Sequence, residues 1–144
     1  MLINITAKFP DLTAAGYTRT SLPSIHYNCI AWAAGDDSRW WEPDPIGMFY
    51  WPDGVRREYS MRAYVAVFEK LGFQRCDNPS LEADHEKIAI YVKGGRTTHA
   101  AKQLADGRWS SKLGDWDDII HVLDGLNGGT YGAHSIYLRR PKAV

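Results

Sequence analysis

The pattern of apolar and polar positions predicts a sheet in the second half of the chain. Residues 87–92 alternate strictly between isoleucine or valine and their neighbours, which is typical of a β-strand. Glycine-containing turns separate it from further predicted strands at residues 97–104, 108–112 and 135–138. These strands follow one another closely enough to predict an antiparallel meander.

Helical spacing of apolar residues is confined to shorter segments. Residues 24–34 are predicted to form a short helix, and Ser60 caps a second one that ends at Gly72. A third helix is predicted to start at Asp115 and to carry Trp116, Ile119, Ile120 and Leu123. The order is helix, loop, helix and then a meander interrupted by one helix, which predicts an α+β fold.

Length and charge limit the classes of protein and partner. The 144 residues predict a single domain, residues 1–144. Lysine plus arginine equals aspartate plus glutamate, 17 each, which argues against nucleic acid as the main partner. The apolar runs are too short to span a bilayer and none resembles a signal peptide, so we expect a cytoplasmic protein without a membrane partner. Core packing would explain much of the content of six tryptophans and eight tyrosines, and a substrate groove floored by aromatic rings would explain it too.

The two cysteines differ in their sequence context. Neither belongs to a metal-binding spacing, so no metal or cofactor is expected, and both are predicted to be free thiols. Cys29 falls near the start of the first predicted helix, where the helix dipole would favour a thiolate. Cys29 is therefore the predicted nucleophile and the faster of the two to alkylate, whereas Cys76 is predicted to be a core residue.

His99 is the best candidate for a general base that activates this thiol. It lies within the predicted strand 97–104, and the small residues Ala100 and Ala101 leave room for a helix end to approach the imidazole. His26 is a weaker candidate because its position three residues before Cys29 points it poorly for proton transfer. His121 is interpreted as a residue packed on the third predicted helix. We expect Cys29 Sγ within hydrogen-bond to near-contact range of a His99 ring nitrogen.

The turn after the His99 strand decides which polar residue can orient the imidazole. A two-residue turn at 106–107 would put Ser110 on the face of the sheet that carries His99. A three-residue turn ending in glycine would instead put Ser111 there, diagonal to His99. The Ala-Asp-Gly order favours the second form, so Ser111 is the predicted third residue. Gln103 shares the face of His99 in either register and remains an alternative.

This arrangement resembles the papain-like cysteine hydrolases, including the bacterial NlpC-type cell-wall amidases. Those enzymes carry a cysteine on an early helix, a histidine on a later strand and a polar residue one strand further on. Residues 87–92, 94–95 and 98–100 resemble the strand, the turn and the histidine-bearing strand of those amidases. Residues 27–33, 98–101 and 109–114 are also similar to an uncharacterised bacterial family. The resemblance implies a papain-like (NlpC-type) fold over residues 27–114 and acyl transfer through a thioester at Cys29.

The chain departs from these enzymes around the nucleophile. Cys29 follows Asn28 where NlpC-type enzymes usually have aspartate, and Pro23 stands where papain-type enzymes have the glutamine of the oxyanion hole. Asn28 could replace that donor or could cap the helix.

Two classes of function remain open. The first is a peptidase or amidase acting on a peptide or protein substrate, with Cys29, His99 and Ser111 as its catalytic residues; deamidase and transglutaminase chemistry use the same groups. The second is a binding or inhibitor module that keeps the scaffold without turnover.

Overall fold

The computed structural model describes residues 8–12, 16–128 and 130–143. They form an α+β fold in which a seven-stranded sheet carries two helices, α1 (Cys29–Ala33) and α2 (Met61–Lys70). In chain order the strands are β1 (Tyr17–Arg19), β2 (Gln74–Cys76), β3 (His85–Lys93), β4 (Arg96–Gln103), β5 (Trp109–Lys112), β6 (Asp118–His121) and β7 (Ala133–Pro141).

The sheet is antiparallel throughout its described pairs. Its strand order is β1-β6-β5-β4-β3-β7-β2. Strands β3, β4 and β5 form the predicted meander and β6, which was not predicted, extends it. Strand β7 then returns to the far edge of β3. The two central hairpins therefore hold β4 between β3 and β5.

The sheet separates two hydrophobic clusters, because side chains alternate between its faces. Ile88 and Ile90 of β3 pack in one cluster with α1 and α2, together with Ala100 of β4. The intervening residues of β3, Ala89 and Tyr91, belong to the second cluster on the other face. Residues of α1 and of strand β4 thus meet at the first face.

The β4–β5 hairpin has the predicted bulged register. The Leu104 N–H donates to the carbonyl of Arg108 at 2.7 Å, and Lys102 lies opposite Ser110. Gly107 has a φ of 90°, the left-handed conformation that this turn requires of its last residue. Beyond Lys102 and Ser110 both strands continue, but the described residues form no further pairs between β4 and β5.

The prediction of a third helix is wrong. Residues 118–121 form β6, which pairs with β5 and β1. Two adjacent isoleucines satisfy a helical pattern over a short stretch, but β-branched side chains pack well in a strand covered on both sides. The first helix is also shorter than predicted, since it begins at Cys29 instead of residue 24. Cys76 is half-buried rather than a core residue, and its thiol donates to the carbonyl of Asn78.

Candidate active site

Asn28 fixes the first turn of α1 and so positions Cys29. Its Oδ1 accepts hydrogen bonds from the backbone N–H groups of Ala31 and Trp41, both at 3.2 Å, and its Nδ2 donates to the Trp41 carbonyl at 2.7 Å. Of the two roles left open for Asn28, the structure has the helix cap. The same side chain ties α1 to the irregular segment that contains Trp41.

Cys29 is a buried thiol, with 9% of its surface exposed. Burial raises its pKa from 9.0 to about 11, although the backbone N–H groups of Ala100 and Ile30 point towards the sulfur and act in the opposite direction. The expectation that the helix start would hold a lowered thiol pKa is therefore wrong. A helix of five residues offers too small a dipole to offset the loss of hydration.

His99 and Ser111 lie together on the opposite strands of the β4–β5 hairpin. The His99 Nε2 is 2.9 Å from the Ser111 Oγ, and both residues are fully buried. Ser111 Oγ is also 2.7 Å from Nε2 of His121 on β6, whose Nδ1 lies 2.7 Å from the carbonyl of Val122. Four residues from three neighbouring segments thus form one hydrogen-bonded chain.

The Val122 carbonyl, at the end of this hydrogen-bonded chain, determines which ring nitrogen of His121 and of His99 carries a proton. The Val122 carbonyl can only accept, so the neutral His121 must donate from Nδ1 and present Nε2 as an acceptor. The Ser111 hydroxyl then donates to His121 and accepts from Nε2–H of His99. His99 is left with an unprotonated Nδ1, and this buried atom has no hydrogen-bond partner in the structure. The hydrogen-bonded chain thereby leaves Nδ1 as the unprotonated nitrogen of the His99 ring.

Aromatic rings enclose the His99 imidazole. The Tyr131 ring stacks on it with centroids 4.1 Å apart and planes 10° apart, and Tyr91 meets it edge-on at 5.2 Å. Burial, and to a smaller extent the neighbouring His121, lower the pKa of His99 well below its usual value. Burial also lowers the pKa of His121 to about 4. Both histidines are therefore neutral at physiological pH, as the proton assignment requires.

Cys29 and His99 approach the same point of the sheet but are not joined by a hydrogen bond. The thiol lies at the N–H of Ala100, the residue after His99, where the β4–β5 pairing has ended. Ala100 packs with α1 on the first face, whereas the imidazole stacks on Tyr131 and bonds to Ser111 on the second. The predicted hydrogen bond between Cys29 Sγ and His99 is absent from this structure because strand β4 passes between the two side chains.

The alternative orienting residues have other partners. Ser110 faces α1, where its Oγ accepts from Nε1 of Trp32 at 2.9 Å. The Gln103 side chain donates to the carbonyl of Pro79 at 3.0 Å. His26 is exposed on the segment before α1. Of the predicted residues, Ser111 is the one that contacts His99.

A cavity of about 260 Å³ opens beside Cys29. Thr97 and Thr98 of β4 form one part of its wall and Asn28 another. Most of the remaining wall is aromatic and comprises Trp40, Trp41, Tyr59, Tyr64 and Tyr131. Tyr131 belongs both to this wall and to the stack on His99. A molecule in the cavity would therefore contact the thiol and the ring that covers the imidazole.

Comparison with known proteins identifies the family. The profile described as "Domain of unknown function (DUF7689)" matches residues 18–139. This chain belongs to the DUF7689 family. No curated protein and no solved structure matches it. The matched residues include every member of the hydrogen-bonded chain and the cavity described above, so both lie within the DUF7689 domain.

Two residues of this DUF7689 domain were not expected at the site. His121 is missed because its segment is predicted to be a helix; a strand at 118–121 would have placed it beside Ser111. Lys112 is fully buried on the α1 face, where its ammonium donates to the carbonyls of Ser24 and Gly114 at 2.7 and 2.5 Å. Lys112 also acts electrostatically on Cys29 and lowers the pKa of that thiol, though less than burial raises it.

The described residues of the domain contain no cluster of three or more histidine, cysteine, aspartate or glutamate side chains able to hold a metal ion. No helix among them is long and apolar enough to cross a membrane.

Proposed function

We propose that this domain is a papain-like cysteine hydrolase that cleaves amide bonds through a thioester at Cys29, with His99 as the general base. The observation that carries the proposal is the unpartnered Nδ1 of His99. A buried imidazole nitrogen without a hydrogen bond is costly, and three residues cooperate to keep it unprotonated. The unfavourable burial of this nitrogen is explained if Nδ1 accepts a proton during the reaction.

The thiol must move around strand β4 to supply that proton, since Cys29 and the imidazole pack on different faces of the sheet. Cys29 contacts the backbone of Ala100, which directly follows the base, and it borders the cavity. Catalytic hydrogen bonds commonly form only when substrate is bound. Occupation of the cavity, whose wall includes Tyr131, is the event that would bring Cys29 Sγ and His99 Nδ1 together.

The reaction then follows from these groups. His99 Nδ1 takes the thiol proton as Cys29 Sγ attacks the amide carbon. The C–N bond breaks, and His99 returns the proton to the departing amine. Water, deprotonated by His99, attacks the thioester and releases the acid and the thiol. Ser111 and His121 hold the imidazole orientation throughout.

A binding or inhibitor module is the second candidate, and a specific observation favours it. The Cys29 thiol pKa of about 11 and the missing Cys29–His99 hydrogen bond describe an inert thiol. On this alternative the cavity would bind a peptide or protein segment without turnover.

Acyl transfer from p-nitrophenyl acetate distinguishes the hydrolase from the binding or inhibitor module. We expect one acetyl group on Cys29, detected by intact mass and peptide mapping, followed by hydrolysis. His99→Ala should slow acetylation by on the order of a hundredfold, and Cys76→Ala is the matched control that retains it. No acetylation of Cys29 in folded Cys76→Ala, which lacks the more accessible thiol, would support the binding module.

A further inference from the structure

The cavity beside Cys29 has one charged wall. Among the described residues that line it, Glu42 is the one with an ionisable carboxylate. Its Oε1 accepts from Nε1 of Trp40 at 3.1 Å and its Oε2 accepts from the hydroxyl of Tyr59 at 2.6 Å. Both donors are neutral, and Glu42 is in no ion pair with any described residue. Arg57 donates to the backbone carbonyl of Glu42 at 3.4 Å, so the nearby cation contacts the main chain and the carboxylate is held by neutral donors.

The rings that hold Glu42 are themselves suited to a positive charge. The face of an indole or phenol ring attracts cations, and this attraction strengthens where water is excluded. The guanidinium of Arg96 already lies 4.7 Å from the centre of the Tyr59 ring. Trp40 and Trp41 continue the aromatic wall towards Cys29. A carboxylate between aromatic rings is an arrangement that recognises an organic cation better than a neutral or anionic group.

We propose that this cavity binds a cationic side chain of the substrate, an alkyl ammonium or guanidinium, with Glu42 as its counter-ion. The inference rests on the proposed function, since it names the substrate class of the same site. The cavity of about 260 Å³ is smaller than the roughly 300–1,000 Å³ of typical ligand sites, so it admits one side chain and not an extended peptide. The scissile amide would belong to the residue that carries this cation, or to its neighbour.

Two reagents that differ only in the cation test the inference. Nα-acetyl-lysyl chloromethyl ketone and its norleucyl analogue alkylate a cysteine when Sγ displaces chloride, and only the first has an ammonium group. We expect the lysyl reagent to label Cys29 about fivefold faster, as an ion pair of about 1 kcal/mol would produce. Glu42→Gln should remove this preference while keeping an acceptor for the local hydrogen bonds. Glu69→Gln, which changes an exposed carboxylate on α2, is the control that should keep it.

The possible outcomes separate this inference from the hydrolase proposal. Equal labelling of Cys29 by both reagents, or an unchanged preference in Glu42→Gln, would overturn the cationic site and leave the hydrolase standing. Labelling by neither reagent would count against the hydrolase. In that case NMR tests whether the cavity binds a cation. Nα-acetyl-lysine methylamide should shift the indole N–H resonance of Trp40 in the wild type, and the norleucine amide should not. No shift with the lysine amide would overturn the inference.

Discussion

Ser111 and His99 lie diagonally across the β4–β5 hairpin with Oγ and Nε2 2.9 Å apart. A serine can hold an imidazole in either tautomer, because its hydroxyl both donates and accepts. Here His121 removes that freedom by accepting the hydroxyl proton. The tautomer of His99 is therefore set by a residue that does not contact it.

The proton assignment can be read directly by NMR of the imidazole nitrogens. We expect a neutral His99 protonated at Nε2 and a neutral His121 protonated at Nδ1 at pH 7. His121→Phe removes the acceptor, so Ser111 should turn its proton to His99 and convert that ring to the Nδ1–H form. His121→Gln, which offers an amide oxygen to Ser111, should restore the original tautomer. An Nδ1-protonated His99 in the wild type would contradict the assignment.

Substitution at Ser111 should weaken acyl transfer less than substitution at His99. A serine–imidazole hydrogen bond contributes about 1 kcal/mol, or roughly fivefold in rate, whereas loss of the base costs on the order of a hundredfold. Acetylation rates of Ser111→Ala and His99→Ala with p-nitrophenyl acetate measure the difference. Ser110→Ala, on the opposite face of the same strand, is the matched control and should react like the wild type. An equal loss in Ser111→Ala and His99→Ala would mean that the tautomer, and not the hydrogen bond alone, depends on Ser111.

Alkylation of Cys29 by iodoacetamide should be slow at pH 7 and should accelerate up to about pH 11. The reason is that burial raises the pKa of this thiol to about 11, and the thiolate is the reactive form. Cys76, which is half-buried, should react faster at neutral pH, in reverse of the order expected from the sequence. Peptide mass mapping over a pH series gives both rates. Faster labelling of Cys29 at pH 7 would place the thiol in contact with a base before substrate binds.

Acid should destabilise the protein through its buried histidines. The folded pKa of His121, about 4, is below its unfolded value of 6.5, so the unfolded chain binds more protons between these values. Stability is complete above about pH 6.5 and falls as the pH drops towards 4, by roughly 3 kcal/mol from this residue. Urea denaturation between pH 4 and 8 should show a shallower decline for His121→Gln. An equal slope in that variant would assign the acid sensitivity to His99 or to other groups.

The β4–β5 hairpin was predictable because turn chemistry acts locally. An Ala-Asp-Gly turn with glycine in the left-handed position sets the register, and the register brings Ser111 to His99. Strand β6 was not predictable from its own residues, since two isoleucines fit a helix or a strand and only the partners β5 and β1 decide. Because β6 was not predicted, the position of His121 beside Ser111 was not predicted either. The pKa of the Cys29 thiol could not be predicted from the neighbouring residues either, because it depends on how deeply Cys29 is buried in the fold.

The hydrogen bonds of Asn28 have a consequence for mutagenesis. One side chain caps the helix that carries Cys29 and bonds to the backbone of Trp41, so it fixes the thiol and the aromatic wall relative to each other. Under the proposed function, replacing Asn28 would therefore impair both the attack by Cys29 and the binding of substrate in the cavity. An alanine scan would accordingly score Asn28 as essential, like Cys29 and His99, although Asn28 transfers no proton and only connects α1 to the segment that contains Trp41.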